Sequence, residues 1–279
     1  MTKEHFAYNQ EISQAENLNA TARLWIQPDQ TVFKEYVIRN ELTYQNIVNL
    51  LLISKIKKLY KLPEIVMPLT IVRDSDKVLG YTMPYVSGIT LDDFLDNKNI
   101  SNYRKLNVLI SLADVINRMP KGVYIGDLHA KNIIVDEKDK IHLIDIDGFS
   151  LRKGYQISCP AEYWLKDTIW FLNKKYWKNG KFVISNNTDI ICWYMIFIRW
   201  LMNASPLMYT QEEVCRYFSY LKSIGFPTSI YDDILRLSSR RCNIIIIEHI
   251  KELYNKEINL YSYHEYRKWY LLNKYQFTE

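Results

Sequence analysis

The sequence predicts an α+β fold in which a small antiparallel sheet precedes a mainly helical portion, and three patterns predict it. Near the N-terminus, apolar and polar residues alternate and are interrupted by a turn at residues 27–30, as in a strand meander. A charged turn at residues 136–140 separates two short apolar runs, as in a hairpin. Residues 188–202, TDIICWYMIFIRWLM, are apolar on all sides, which is typical of a buried helix.

Composition limits the class of protein. The chain has 279 residues, of which 48% are hydrophobic and 24% charged, so it can bury a large core in one domain or two lobes. Its net charge of +5 suits an anionic ligand such as a nucleotide, and no long basic run indicates nucleic acid. The four cysteines are far apart, which favours reduced thiols, and no apolar run is long enough to span a membrane. We expect a cytoplasmic protein.

The first two strands of the meander are expected at residues 21–26 and 31–38. On the second of these, Lys34 shares one face with Val32 and Tyr36. Because burying a lysine without a partner is costly, a functional Lys34 needs an anionic neighbour. The alternative is an edge lysine in contact with water.

Helices and strands then alternate along the chain. A helical pattern covers residues 40–60, with Glu41, Gln45 and Asn49 on one face. Strands are expected at residues 65–71 and 78–85. Thr90 is placed to cap a helix, with Asp93 in a capping-box position, and a further amphipathic helix is expected at residues 102–119.

The hairpin at residues 124–150 carries the side chains that could perform chemistry. Asp127 and Asn132 precede its first apolar run, and Asp145 and Asp147 follow its second. Since a hairpin brings these two ends together, three carboxylates and one amide should converge. Their oxygens are hard ligands that suit Mg²⁺.

This spacing resembles the catalytic core of the protein-kinase-like superfamily, in which an Asp, four residues, an Asn and a hairpin precede a metal-binding Asp. The form GDLHAKN is similar to the catalytic loop of aminoglycoside phosphotransferases and related atypical kinases. Asp145-Ile146-Asp147 resembles the D-x-D of some bacterial kinase-like proteins and replaces the usual DFG. Ile125-Gly126 stands where His-Arg is usual. The resemblance extends over about residues 11–250.

The resemblance implies a two-lobed fold, with an antiparallel-sheet N-lobe at residues 1–86 and a mainly helical C-lobe at residues 87–279. It implies a Mg-ATP-dependent phosphotransferase that acts on a hydroxyl group. In that enzyme the catalytic residues are Asp127, which orients the acceptor and takes its proton, Asn132 and Lys34. The metal ligands are Asn132, Asp145 and Asp147, and Lys34 holds the phosphates.

The resemblance also implies a hinge that binds ATP. Met83 would be the gatekeeper, Val86 would offer its backbone N–H and C=O to adenine, and Thr90 or Asp93 would touch ribose, although capping alone also explains both. Asp189 would brace the catalytic loop. Pro160-Ala161-Glu162 resembles an APE motif, and Glu162 would pair with Arg240 or Arg241, unless these arginines lie at a solvated helix end.

Two departures leave alternatives open. The expected phosphate loop, residues 15–20, contains no glycine, and the helical partner of Lys34 is either Glu41 or Asn49. The rival interpretations are a pseudokinase scaffold that binds nucleotide without transfer, and a module that binds nucleic acid through the aromatic and basic residues 163–187.

The nature of the acceptor is also open. His129 occupies a position where conventional protein kinases have lysine, and only seventeen positions separate Asp145 from Glu162, which favours a small-molecule acceptor. The APE-like motif, Asp189 and an insertion at residues 163–187 that could dock a protein favour a protein Ser/Thr kinase, which is the interpretation we prefer.

Overall fold

The structure is a computed structural model that describes residues 10–11, 22–37, 40–151, 156–157, 177–178, 181–183 and 188–202. Over these residues the fold is α+β, with a small antiparallel sheet and a few helices. The α+β class predicted from the sequence is therefore confirmed. In this part of the chain, no helix is long and apolar enough to cross a membrane.

A five-stranded antiparallel sheet, in the order β1-β2-β3-β5-β4, carries the first candidate site residue. Its strands are β1 (Gln10–Glu11), β2 (Ala22–Ile26), β3 (Thr31–Tyr36), β4 (Thr70–Asp74) and β5 (Lys77–Pro84). The turn between β2 and β3 is closed by a hydrogen bond from the Gln30 N–H to the Gln27 carbonyl at 3.1 Å. The meander that the sequence predicts is confirmed where the strands are described.

Four α-helices lie within the described residues: α1 (Glu41–Ile53), α2 (Leu91–Asp96), α3 (Asn102–Arg118) and α4 (Thr188–Met202). The first three begin at side-chain caps. Asn40, Thr90 and Ser101 each accept a hydrogen bond from the backbone N–H three residues further on. The predicted cap at Thr90 and the helices predicted at residues 102–119 and 188–202 are confirmed.

The predicted hairpin is present as β7 (Ile133–Val135) and β8 (Ile141–Leu143), with the short strand β6 (Ile89–Thr90) beside β7. Asp136 closes the turn, since its Oδ1 accepts the N–H groups of Lys138 and Lys140 at 2.8 and 2.9 Å. A third sheet consists of three short strands: β9 (Gln156–Ile157), β10 (Trp177–Lys178) and β11 (Lys181–Val183). The two short apolar runs and the charged turn between them therefore correctly indicated the hairpin that carries the polar cluster.

Two predicted boundaries are wrong. The first helix was expected to reach residue 60, but α1 ends at Ile53 and the chain continues in tighter turns. Buried Ile53 and Leu59 and half-buried Ile56 recur at every third residue, a spacing that places them on one side of three-residue turns.

The strand expected at residues 65–71 is also different. Pro68 lacks the N–H that a central strand needs, and β4 begins only at Thr70. Ile65 instead forms a parallel bridge to Leu143 of β8. The Leu143 N–H donates to the Glu64 carbonyl at 2.6 Å, and the Val66 N–H donates to the Leu143 carbonyl at 2.9 Å. These bonds tie the segment after α1 to the hairpin.

Helices α3 and α4 pack against each other through apolar contacts and a buried hydrogen bond. Trp193 of α4 donates its indole N–H to the Leu109 carbonyl of α3 at 2.8 Å and stacks on Phe197. Both aromatic side chains are buried. The core therefore fixes α3 and α4 beneath the loop that leads into β7.

Candidate functional site

Lys34 lies on β3, between β2 and β5, and its side chain is buried. Its backbone is opposite Tyr81 of β5. Next to that pair, Gly80 approaches so closely that a Cβ atom there would lie 1.8 Å from the Lys34 carbonyl oxygen. Glycine is required at this position because the two strands could not otherwise come together.

The Lys34 ammonium contacts two carboxylates at the far end of the hairpin. Its Nζ donates to Asp145 Oδ1, and it lies 2.9 and 3.1 Å from the two oxygens of Asp147. The anionic neighbour that a buried lysine needs is thus supplied twice. Burial disfavours the charged ammonium, but the two carboxylates outweigh it, and the pKa of Lys34 is raised above its usual range.

Asp147 is fully buried. Besides the Lys34 ammonium, two tyrosine hydroxyls donate hydrogen bonds to its carboxylate. The hydroxyl of Tyr36 on β3 donates to its Oδ2 at 2.7 Å, and that of Tyr81 on β5 donates to its Oδ1 at 3.1 Å. Burial raises the pKa of Asp147, whereas Lys34 and Tyr36 favour its ionised form. Three donors around one carboxyl group suit a carboxylate, which only accepts hydrogen bonds.

Asp145 differs from Asp147 in backbone conformation and in access to solvent. Its φ is 64°, in the left-handed region that few non-glycine residues adopt, and a 3₁₀ turn, Ile146–Gly148, follows it. The side chain of Asp145 is 35% exposed, against 1% for Asp147. The sharp bend after β8 therefore lets both carboxylates reach Lys34, one from the solvent side and one from the interior.

Helix α1 packs against this 3₁₀ turn. Asn49 donates its side-chain N–H to the backbone carbonyl of Asp147 at 3.4 Å, and Glu41 is the first residue of the helix. The sequence left either Glu41 or Asn49 as the partner of Lys34. The side chain of Glu41 lies outside the described residues. Lys34 contacts Asp145 and Asp147, and Asn49 supports Asp147 through its backbone.

Asp127 and Asn132 face each other beside this cluster. Asn132 Nδ2 donates to the Asp127 carbonyl at 3.1 Å and to its Oδ2 at 3.4 Å. The Ile144 N–H donates to the Asn132 carbonyl at 3.0 Å, which places Asn132 next to the residue that precedes Asp145. A Cβ atom on Gly148 would lie 3.0 Å from the Asp127 Cβ, so the turn and the loop are in close contact.

The loop that carries Asp127 is held by α4. Asp189 Oδ2 accepts the Ile125 N–H and Asp189 Oδ1 accepts the Gly126 N–H, each at 2.9 Å. Gly126 has a φ of 73°, which explains why glycine stands there. Asp189 is buried and fixes two consecutive amides just before Asp127, which is the bracing contact that the sequence led us to expect.

We expect Asp189→Asn to destabilise the fold by about 1.5–3 kcal/mol, since a buried carboxylate that accepts two amide hydrogen bonds is replaced by a group with a single acceptor oxygen. Urea unfolding followed by circular dichroism measures this loss. The matched control is Asp114→Asn, at a 59% exposed carboxylate that pairs with Arg118 on the surface, which should change the free energy of unfolding by about 1 kcal/mol or less. Equal losses for both variants would contradict the bracing role.

The residues predicted to bind the nucleotide base and ribose lie along β5 and the segment after it. Met83 is buried and opposite Val32, and Val86 is partly buried. The Thr90 hydroxyl accepts the Asp93 N–H and donates to Asp93 Oδ2 at 2.5 Å. Capping thus accounts for Thr90, and the contacts of all three residues with a nucleotide stay predictions.

Two histidines have local partners. His129 Nδ1 accepts the Lys131 N–H at 3.3 Å, and its Nε2 lies 4.0 Å from Asp127 Oδ1. His142 lies 3.1 Å from Asp136 Oδ2 at the turn of the hairpin. Residues 15–20, 160–162 and 240–241, on which the phosphate-loop, APE and late-arginine predictions fall, lie outside the described residues.

A divalent cation suits the donor set at the end of the hairpin where β7 begins and β8 ends. Asp145 offers a partly exposed carboxylate and Asn132 an amide oxygen, which are hard ligands of the kind Mg²⁺ takes from proteins. In the described part of the chain, no group of three His, Cys, Asp or Glu is arranged to hold a metal by itself. Both oxygens of Asp147 already accept hydrogen bonds, so its metal role stays a prediction.

The sequence did not indicate two members of this site. These are Tyr36 and Tyr81, whose hydroxyls donate hydrogen bonds to Asp147. Tyr36 shares a strand face with Lys34. That spacing of two residues was a usable signal, because i and i+2 point to the same side of a strand. Tyr81 gave no such signal, since its nearness to Lys34 depends on how β3 pairs with β5.

Comparison of the chain with protein-family models gives no match, and none of the curated proteins is significantly similar to it.

Proposed function

We propose that this protein is a Mg-ATP-dependent phosphotransferase that acts on a hydroxyl group, with the two-lobed arrangement of the protein-kinase-like superfamily. One observation carries the proposal. Lys34 on a strand contacts Asp145, 111 positions further along the chain, at the hairpin end where Asn132 and Asp127 also lie. A cation, two carboxylates and an amide thus converge beside an aspartate whose position suits proton transfer.

The charges of the cluster support a site for a metal and phosphates. Lys34 contributes one positive charge and Asp145 and Asp147 two negative charges, so the cluster carries an excess of one negative charge. Such an excess favours a divalent cation, and the metal then reverses the sign of the site. Mg²⁺ bound there would neutralise the charge of the phosphate oxygens. Asp145 and Asn132 would hold it.

The roles of the protein groups follow from their surroundings. Lys34 holds the phosphates through its ammonium, which keeps its charge because its pKa is raised. Asp127 orients the acceptor hydroxyl and takes its proton, and Asn132 fixes Asp127 through the bonds at 3.1 and 3.4 Å. Asp189 holds the loop before Asp127. Positioning and charge stabilisation supply most of the rate in phosphoryl transfer, so these few groups suffice.

The acceptor we favour is a Ser or Thr hydroxyl of a protein, with a small-molecule hydroxyl as the alternative. The preference is based on the sequence of residues 160–187, with its APE-like motif and its aromatic side chains. Hydroxyls of the two kinds share the chemistry of the site, so the acceptor has to be identified by experiment.

Incubation of the purified chain with Mg-ATP labelled at the γ-phosphate tests the proposal. We expect Mg-ATP, but not ATP with a chelator, to raise the melting temperature, and we expect label to appear on the chain itself or on a protein in an added lysate. Label on a metabolite instead would favour a small-molecule kinase. A raised melting temperature without transfer would favour the pseudokinase scaffold, and no effect of Mg-ATP in either assay would overturn the proposal.

A further inference from the structure

We propose that Asp147 is a positioning residue that keeps Lys34 in place. The sequence led us to seek the partner of the Lys34 ammonium on α1, at Glu41 or Asn49, and we infer that Asp147 fills this role from the hairpin. What Lys34 is positioned to do rests on the proposed function, but the anchoring itself does not. Two carboxylates contact Lys34, and the inference concerns which one holds it permanently.

Burial separates the two partners. The side chain of Asp145 is 35% exposed, so ligands from solvent reach it, whereas that of Asp147 is 1% exposed. A metal ion or a phosphate that enters the site competes with Lys34 for Asp145. Asp147 is enclosed and both of its oxygens already accept hydrogen bonds, so we expect the Lys34–Asp147 contact to persist when a ligand binds.

Asp147 is itself fixed from three elements. Tyr36 on β3 and Tyr81 on β5 hold its two oxygens at 2.7 and 3.1 Å, and Asn49 on α1 holds its backbone carbonyl at 3.4 Å. A carboxylate restrained in this way cannot follow a ligand outwards. It therefore determines where the Lys34 ammonium lies before a nucleotide arrives.

The same contacts explain why α1 needs no acid at this point. Asn49 is the helix residue that touches the turn at Asp147. An uncharged amide is suitable there because Asp147 already balances the charge of Lys34, and a second buried carboxylate would be repelled by the first. A glutamate at position 49 therefore tests whether a carboxylate on α1 can replace the one at position 147.

The first test measures Lys34 directly in the nucleotide-free protein, as the rate at which an amine-reactive acylating reagent modifies it, read by mass spectrometry of the peptide. We expect Asp147→Asn to speed up the modification by about tenfold, because the Lys34 ammonium loses its buried counter-charge and is held less tightly. The matched control, Asp145→Asn, removes the more exposed partner and should raise the modification rate of Lys34 by about threefold or less. A larger effect of Asp145→Asn, or no effect of Asp147→Asn, would overturn the proposal.

The second test is rescue. In the double variant Asp147→Asn with Asn49→Glu, we expect the modification rate of Lys34 to return to within about twofold of the parent, because a carboxylate is again present beside the ammonium. Calorimetry should show a parallel recovery of affinity for Mg-ADP. A merely structural role of Asp147 predicts no rescue, because a glutamate on α1 would not refill the same hydrogen bonds.

Two further variants cover the case in which Asp147→Asn does not fold. Tyr36→Phe and Tyr81→Phe keep both charges and remove one bond each to Asp147, and we expect each to raise the Lys34 modification rate by about twofold to threefold. Unchanged rates in both would count against the anchor. If no variant and not even the parent binds nucleotide, the proposed function fails, while the modification rates still decide whether Asp147 anchors Lys34.

Discussion

Asp127→Asn should lower the rate of phosphoryl transfer by about 10²–10⁴-fold, the usual contribution of a general base, and leave the affinity for Mg-ATP within about twofold of the parent. The reason is the position of Asp127, which is bonded to Asn132 and lies against Gly148, whereas the carboxylates bonded to Lys34 are those of Asp145 and Asp147. The substituted amide keeps the shape of the side chain and cannot accept the proton of the acceptor. Single-turnover transfer of labelled phosphate and calorimetry measure the two quantities separately.

The control for this substitution is Asp114→Asn, at an exposed ion pair of α3. It should transfer phosphate at the parent rate. If Asp127→Asn transfers phosphate as fast as this control, the catalytic role of Asp127 is wrong, whatever the nucleotide affinity. A loss of affinity that equals the loss of rate would instead place Asp127 in the nucleotide site.

Asp145→Ala should reduce the affinity for Mg-ATP by about tenfold or more, which corresponds to at least about 1.4 kcal/mol of binding free energy. Asp145 is the partly exposed carboxylate of the cluster, and an alanine offers no ligand to a cation. The fold should survive, because Lys34 keeps its contacts with Asp147 at 2.9 and 3.1 Å. Titration calorimetry with and without Mg²⁺ measures the effect.

The difference between the titrations with and without Mg²⁺ shows whether Asp145→Ala loses affinity because it loses the metal. For the parent, removal of Mg²⁺ should weaken ATP binding to about the level of Asp145→Ala, and the variant itself should respond little to the metal. The matched control is Asp139→Ala, at the opposite end of the same hairpin, where the carboxylate pairs with Arg104 at 2.6 Å. Equal Mg-ATP affinities for Asp145→Ala and Asp139→Ala would mean that Asp145 is not a metal ligand.

The sequence by itself determined the parts of the fold that depend on local signals. The hairpin of β7 and β8, the cap at Thr90 and the apolar helix α4 all follow from residue periodicity and from the side chains that suit turns and helix starts. For the same reason the sequence placed Asn132 and Asp145 at adjoining ends of the hairpin, which the bond from the Ile144 N–H to the Asn132 carbonyl bears out.

Only the tertiary structure decided which carboxylates surround Lys34. Asp147 lies 113 positions from Lys34, and the contact depends on the left-handed bend at Asp145 and on the packing of α1 against the turn that follows it. The end of α1 at Ile53 and the bridge from Ile65 to Leu143 are likewise set by packing. Periodicity reports which side of a strand or helix is buried, but the partner of a buried charge is fixed by contacts between segments that are distant in the chain.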